Sequence, residues 1–281
     1  MMNDKVGISS LSKNCKSCGS ELTGKYCSTC GEKKYNPLED LSIIKFIEHS
    51  IDILIHLDSK VFKSFKMLFF YPGMLTSSFI SGRRVSYMKP FQLFILAGAL
   101  FYFLIPSSNA YFSTVEDLKG NDALVSLVQY NVDNKINEKA IQYHISREQV
   151  VKSVIERTIH SSKLYLFTIL PFWALFLFAL FYKSNQFYVS HLVFSLHCFT
   201  FFLLIHMLYL YVLSRFMNSE PLSYLIPLFI IFVIYVFLAV RKVYHPEILV
   251  SLMKCLIACS AFLFLLELYR ECITVLTLFI L

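Results

Sequence analysis

The chain has 281 residues, of which 56% are hydrophobic and 16% aromatic, and its formal net charge is +7. Soluble domains average about 45–50% apolar residues, so this composition excludes a soluble protein built around one compact core. The 28 Phe and 17 Tyr residues lie in long apolar runs, which helices facing lipid tolerate and helices facing water do not.

The first predicted element is a metal site in the sequence CKSCGSELTGKYCSTCG, residues 15–31. Four cysteines form two C-x2-C pairs separated by eight residues: Cys15, Cys18, Cys27 and Cys30. The glycine after each pair, Gly19 or Gly31, lets the backbone turn so that its amides approach the thiolates. Four thiolates favour a structural, tetrahedral Zn²⁺ site. Iron and a redox dithiol are the alternatives.

The surroundings of the cysteines indicate their compartment and partners. The first fifteen residues contain no apolar signal-peptide core, so we expect a cytoplasmic N-terminus with reduced thiols. Five lysines make the region basic: Lys13, Lys16, Lys25, Lys33 and Lys34. They form a solvated surface or contact anionic lipid. We do not expect nucleic acid as a partner, because Tyr26 is the single aromatic residue between the cysteines and no recognition helix is present.

Residues 41–70 are predicted to form an amphipathic helix. Its apolar stripe is Ile44, Ile47, Ile51, Leu54, Val61, Phe65 and Leu68. Such a helix lies along the inner leaflet, or it packs against a partner or the membrane bundle. The sequence supports both interpretations equally.

The segment YPGMLTSSFISGRRVSYMKPFQLFILAG, residues 71–98, leads into the first predicted membrane helix. Pro72 and Gly73 end the preceding helix, and Gly82 offers a C-cap for the short MLTSSFIS segment. Three basic residues are candidates for binding lipid phosphate groups: Arg83, Arg84 and Lys89.

About five membrane-spanning helices are predicted, since a helix needs roughly 20 apolar residues to cross the hydrocarbon core. Four lie within residues 91–106, 164–182, 188–213 and 222–240, and a fifth begins near Ile248. The basic residues beside them are Arg83, Arg84, Lys89, Lys183, Arg241 and Lys242. Their positions predict a cytoplasmic N-terminus and an extracytoplasmic C-terminus.

Two regions outside these spans carry further predictions. The external loop, residues 107–163, contains an apolar stripe that predicts one amphipathic helix over residues 140–159. This helix packs on the bundle or the membrane surface, or it caps a ligand. Near the C-terminus, charges begin at Glu267, where we expect the last helix to leave the bilayer and the final ten residues to fold back. The alternative places these charges inside the membrane.

Polar residues within a predicted span form a second candidate site: His191, Ser195 and His197. His191 and Ser195 share a helix face, whereas His191 and His197 do not. The histidines are either hydrogen-bonded within the bundle, or used for a ligand, proton or quinone, or bound to haem. The sequence contains no Ser/His/Asp set, HExxH or phosphate-binding glycine loop.

Several of these motifs together resemble a known family. The two cysteine pairs are followed by Y-P-G at residues 71–73, G-R-R at 82–84 and Y-x-x-P at 87–90, and later by YVSHLVFSLHCFTFFLL at 188–204. This order resembles a bacterial family of multi-pass membrane proteins known only as a domain of unknown function. The resemblance implies an inner-membrane location and an N-terminal zinc ribbon, and it implies no activity.

The sequence therefore predicts an all-α membrane protein, a bundle of about five transmembrane helices with a small N-terminal zinc ribbon. We expect a ribbon over residues 1–36, an interfacial segment over 37–90 and the bundle over 91–281. The expected function is that of a non-enzymatic adaptor or scaffold, whose cytoplasmic N-terminal region contacts a protein partner beside the lipid bilayer. The alternative is a transporter, or a lipid- or quinone-handling protein that uses the intramembrane histidines.

Overall fold

A computed structural model describes residues 14–34, 36, 42–43, 60–104, 123–154, 157, 166–184, 186–213 and 221–280. Within these residues the regular secondary structure is helical, apart from two isolated β-bridges that join Asn14 to Glu21 and Tyr26 to Lys33. The prediction of an all-α fold is confirmed for this part of the chain.

The helices with defined bounds are α1 Lys60–Phe70, α2 Met74–Ile80, α3 Pro90–Leu104, α4 Ala123–Tyr143, α5 Ile169–Leu180, α6 Tyr188–Leu213, α7 Pro221–Tyr244 and α8 Ile248–Ile280. A further helical stretch covers residues 147–154. Short 3₁₀ turns, Leu166–Thr168 and Tyr182–Ser184, flank α5. Within the predicted amphipathic segment the structure contains α1, where Leu68 of the apolar stripe is buried. Residues 44–59 lie outside the described residues.

Three described helices are long and apolar enough to cross a membrane: Tyr188–Tyr209 in α6, Ile226–Tyr244 in α7 and Ile248–Tyr269 in α8. Two further apolar helices, Pro90–Phe101 and Ile169–Leu180, are shorter. Three of the predicted spans are thus supported as candidates by their length and composition. The described parts of α3 and α5 do not by themselves reach the length that a span requires.

The chain divides into two compact units, and the first comprises Met1–Leu104 with Leu170–Ala261. Helix α6 lies at its centre and packs against α1, α2, α3 and α7. Of its apolar window, 67% is buried, compared with 39% for α7, so α6 is the helix that the others surround. Aromatic side chains fill these contacts: the rings of Phe94 and Phe199 lie 5.6 Å apart, and those of Phe201 and Tyr235 stack at 3.7 Å.

The turn between α1 and α2 lies directly against the backbone of α7. Gly73 in this turn has φ of 77°, which L side chains rarely adopt. A Cβ atom added to Gly73 would lie 2.8 Å from the carbonyl oxygen of Ala239 and 3.0 Å from Cβ of Lys242. Only glycine therefore satisfies both the backbone conformation and the close approach.

The second unit comprises Ile105–Ile169 with Phe262–Leu281. Its described core consists of Ile136, Val150 and Val154, with Ala140, Val151 and Val275 packed against them. These residues come from α4, the 147–154 stretch and the C-terminal part of α8. The apolar stripe of the loop is thus partly used to build this small core.

The prediction of one continuous helix over residues 140–159 is wrong. Helix α4 ends at Tyr143, and His144 has a positive φ of 54°. A new helix then starts after Ser146, whose amide donates to Oε1 of Gln149 at 2.9 Å while the Gln149 amide donates to Oγ of Ser146 at 3.2 Å. This reciprocal pair is a capping box, and it starts a helix where the apolar periodicity indicated continuity.

The prediction that the C-terminal tail folds back is also wrong. Helix α8 continues without interruption from Ile248 to Ile280, past Glu267. The final residues CITVLTLFIL contain neither glycine nor proline, so nothing in the local sequence ends the helix after its apolar window, which closes at Tyr269.

Gly73→Ala should lower the free energy of unfolding by about 1–3 kcal/mol, since the new methyl group meets backbone atoms of α7 in a strained conformation. Thermal or denaturant unfolding of the purified protein in detergent measures this change. Gly98→Ala is the matched control, because a Cβ at Gly98 in α3 meets no atom within 4 Å. Equal stability of the two variants would contradict the packing described for the turn.

Candidate metal centre

The four N-terminal cysteines converge on one point. Their Sγ atoms all lie within 4.8 Å of one another. Cys15 Sγ lies 3.5 Å from Cys30 Sγ, and Cys18 Sγ lies 3.5 Å from Cys27 Sγ. Tetrahedral zinc with Zn–S bonds of about 2.3 Å places its sulfurs about 3.8 Å apart. The cluster therefore has the donor set and the spacing that such an ion requires.

Two nearly identical turns position the sulfurs. Each glycine has a positive φ, 81° at Gly19 and 74° at Gly31. The matching backbone hydrogen bonds are Gly19 N to Cys15 O and Gly31 N to Cys27 O, both 2.9 Å, with Cys15 N to Ser20 O at 2.7 Å and Cys27 N to Glu32 O at 2.8 Å. The short repeat in the sequence thus becomes a structural repeat, with one C-x2-C-G turn on each side of the cluster.

Hydrogen bonding and desolvation shift the pKa values of Cys18, Cys27 and Cys30 in different directions. The hydroxyl of Ser20 lowers the pKa of Cys18, and it lowers the pKa of Cys27 to about 5, so Cys27 is a thiolate at neutral pH. The backbone amide of Glu32 lowers the pKa of Cys30, but desolvation and the other cysteines outweigh it and raise this pKa to about 12. A divalent ion bound here would displace the proton of Cys30, because a metal ligand must be a thiolate.

The lysines of the segment have an electrostatic role in such a site. A zinc ion with four thiolates carries a double negative charge. Lys16 and Lys25 are exposed near the cluster, and Lys33 and Lys34 are half-exposed. Their positive charges would offset this negative charge.

Glu32 is a residue of this region that sequence reasoning missed. Only 5% of it is exposed. Its Oε2 accepts hydrogen bonds from the backbone amides of Arg84 and Val85, both at 3.0 Å, and from the hydroxyl of Ser17 at 2.5 Å. The available signal was an acidic residue directly after the second C-x2-C-G turn, in a segment otherwise rich in lysine.

The structure separates the three basic residues predicted to bind headgroups. Arg83 is exposed, whereas Arg84 and Lys89 are half-buried. The guanidinium of Arg84 lies 4.3 Å from the ring centroid of Phe79, and its Nε donates to the Phe79 carbonyl at 3.4 Å. Headgroup binding stays a prediction, for which Arg83 is the most accessible residue of the three.

The polar residues predicted to form one intramembrane site have separate partners in the structure. His191 Nδ1 lies 2.8 Å from the hydroxyl of Tyr244 in α7. His197 Nδ1 lies 2.8 Å from the hydroxyl of Thr76 in α2. The hydroxyl of Ser195 donates to the Leu192 carbonyl of its own helix at 2.8 Å. The histidines thus tie α6 to two different helices.

One comparison with known proteins gives a match. The family model described as a protein of unknown function, DUF3667, matches residues 58–102. These residues include α1, α2 and most of α3, with the turns that join them. No curated protein and no solved structure matches the chain. The chain is therefore similar to a family without an assigned activity, over a segment that begins after the cysteine cluster.

Thr76→Val should destabilise the protein by about 0.6–1.7 kcal/mol, between the average and the maximum found for hydrogen bonds between membrane helices. The substitution keeps the side-chain volume but removes the hydroxyl bound to the buried His197. Unfolding in mixed micelles measures the loss.

Thr200→Val is the matched control for this substitution. Thr200 is also fully buried, but its hydroxyl donates to the Leu196 carbonyl within α6. That carbonyl is an intrahelical acceptor, so a smaller loss is expected. If Thr200→Val lowered the free energy of unfolding equally or more, the hydrogen bond between α2 and α6 would contribute no more to stability than one within α6.

Proposed function

We propose that this chain is a multi-pass protein of the bacterial inner membrane that acts as an adaptor or scaffold and not as an enzyme. Its N-terminal region holds a structural zinc ion on the cytoplasmic side and contacts a protein partner. The observation that carries this proposal is the closed set of four sulfurs within 4.8 Å of one another. Four cysteine ligands leave no coordination position for a substrate, which is typical of structural zinc.

We include α3 and α5 among the membrane spans, which gives five spans with a cytoplasmic N-terminus and an external C-terminus. The support is their burial within the first unit. Helix α3 packs along α6. In α5, Trp173 is fully buried and its Nε1 donates to the Ala258 carbonyl of α8 at 3.1 Å. Apolar helices packed in this way against membrane helices share their environment, and flanking residues can complete the required length.

The candidate docking surface is the exposed side of the cysteine turns. Tyr26 is 63% exposed, and Lys16 and Lys25 are exposed in the same small segment. Tyrosine is enriched at protein interfaces, and lysines favour a partner with complementary negative charge. The proposed partner is therefore a protein with an acidic contact surface.

A second candidate function rests on His191. This residue is fully buried, and its Nε2 has no hydrogen-bond partner within the described part of the chain. A buried ring nitrogen without a partner is the kind of group that contacts a quinone or lipid headgroup in a membrane protein. His197 does not support this function in the same way, because its ring is hydrogen-bonded to Thr76 and none of its nitrogens is a buried atom without a partner.

Purified full-length protein should contain one zinc ion per chain, and Cys27→Ser should abolish it, because three thiolates and a hydroxyl no longer form the Cys₄ set. Elemental analysis of protein prepared without chelator measures the content. Cys272→Ser is the matched control, since Cys272 is an exposed cysteine of α8. Absence of zinc from the wild type, or its retention in Cys27→Ser, would contradict the zinc assignment.

The combined substitution Tyr26→Ala and Lys25→Glu should remove a co-purifying protein partner while zinc stays bound, because neither side chain is a metal ligand. Affinity purification in mild detergent, followed by mass spectrometry, measures the loss. Tyr143→Ala serves as the control, since Tyr143 is also exposed, at 47%, but lies in α4. A lipid or quinone that co-purifies and is lost in His191→Ala would favour the second candidate function.

A further inference from the structure

The two cysteine turns are a structural repeat that differs at one informative position. Ser20 follows the first C-x2-C-G turn, and Glu32 occupies the same place after the second. The hydroxyl of Ser20 faces the cluster, 2.6 Å from Cys18 Sγ and 3.4 Å from Cys27 Sγ. The carboxylate of Glu32 instead contacts backbone amides far along the chain. One turn thus supports the metal site, and the other connects the site to the rest of the protein.

The contacts of Glu32 require a carboxylate. A single oxygen, Oε2, accepts from the amides of Arg84 and Val85 and from the hydroxyl of Ser17. Three donors on one oxygen suit a full negative charge better than a neutral amide oxygen. Only 5% of Glu32 is exposed. Loss of these three donors would therefore leave a buried charge without hydrogen-bond partners, which is strongly unfavourable.

The segment that Glu32 contacts is also held from its other end. Met88 donates its amide to the hydroxyl of Ser64 in α1 at 2.8 Å, and Ser64 is fully buried. Residues 84–88 are therefore anchored at both ends, just before α3 begins at Pro90. The anchor at Ser64 belongs to a helix, whereas the anchor at Glu32 belongs to a segment with no helix and few apolar residues of its own.

We propose that Glu32 couples the metal site to the start of α3, so that metal binding fixes the turn formed by residues 84–88. This inference rests on the zinc binding proposed above. Glu32 lies two residues after Cys30, and its own carbonyl oxygen accepts from the amide of Cys27. In a small segment with so little apolar core, metal binding supplies the folding free energy. Without metal, Glu32 loses its position and the amides of Arg84 and Val85 lose their acceptor.

This coupling gives the ribbon a second role beside that of a docking surface. The cysteine turns act on the membrane part of their own chain, through backbone contacts that do not depend on the side chains of Arg84 or Val85. The conformation of the cytoplasmic turn that leads into α3 then reports whether the metal is bound. Glu32 is the positioning residue that transmits this state.

Hydrogen exchange of the full-length protein in lipid nanodiscs tests the coupling. In the zinc-loaded wild type, the amides of Arg84 and Val85 should exchange slowly. Glu32→Ala should accelerate their exchange by about tenfold or more, the effect expected when a hydrogen bond to a charged acceptor is lost. Its zinc content should stay at that of the wild type. Removal of zinc from the wild type by a chelator should accelerate the same amides, while the amides of the buried helix α6 stay unchanged.

Two further variants separate this role from a general effect of removing charge. Glu32→Gln retains one acceptor oxygen and should give an intermediate exchange rate. Glu21→Ala removes an exposed carboxylate from the first turn and should leave Arg84 and Val85 protected. Zinc-loaded Glu32→Ala with wild-type exchange, or unchanged exchange after zinc removal, would overturn the coupling while leaving zinc binding intact. Absence of zinc from the wild type would overturn both proposals.

Discussion

The burial of α6 is the constraint on which the first unit depends. In a helix surrounded by other helices, most polar side chains need a hydrogen-bond partner in the protein, since water does not reach them. His191 and His197 point to different sides of α6 and meet Tyr244 of α7 and Thr76 of α2. These two contacts specify which helices lie on which side of α6, whereas its apolar residues allow many packings.

The short helix α2 obtains its position from the same requirement. It carries Thr76 toward α6, and the turn before it carries Gly73 against the backbone of α7. A hydrogen bond on one side and a close backbone approach on the other leave α2 little freedom to rotate. Both residues, Gly73 and Thr76, lie within residues 58–102, the region matched by the DUF3667 family model.

The cysteine turns and the membrane helices follow different physical rules. In the helices, lipid contact and backbone hydrogen bonding suffice for a stable structure. The cysteine segment has few apolar residues, so its shape depends on hydrogen bonds around the sulfurs and on a metal ion that the four sulfurs could bind. Glu32 joins the two regions through the backbone of Arg84 and Val85. The cysteine turns thus add a small folded segment that needs few apolar residues of its own.

The local features of this protein could be predicted from its sequence, because each is encoded within a few residues. The spacing of Cys15, Cys18, Cys27 and Cys30, with a glycine after each pair, determines the turns that bring the sulfurs together. Long apolar runs likewise determine the three long membrane helices. The break at His144 was also encoded locally, in the Ser146 and Gln149 capping pair, but the apolar periodicity obscured it.

Only the tertiary structure decided which residues are partners across the chain. Glu32 meets Arg84 at a separation of 52 residues, His191 meets Tyr244 at 53, and Thr76 meets His197 at 121. A periodic pattern shows which face of a helix is buried, but it contains no information on the helix that covers that face. These pairings arise only when whole helices pack and bring buried polar groups together.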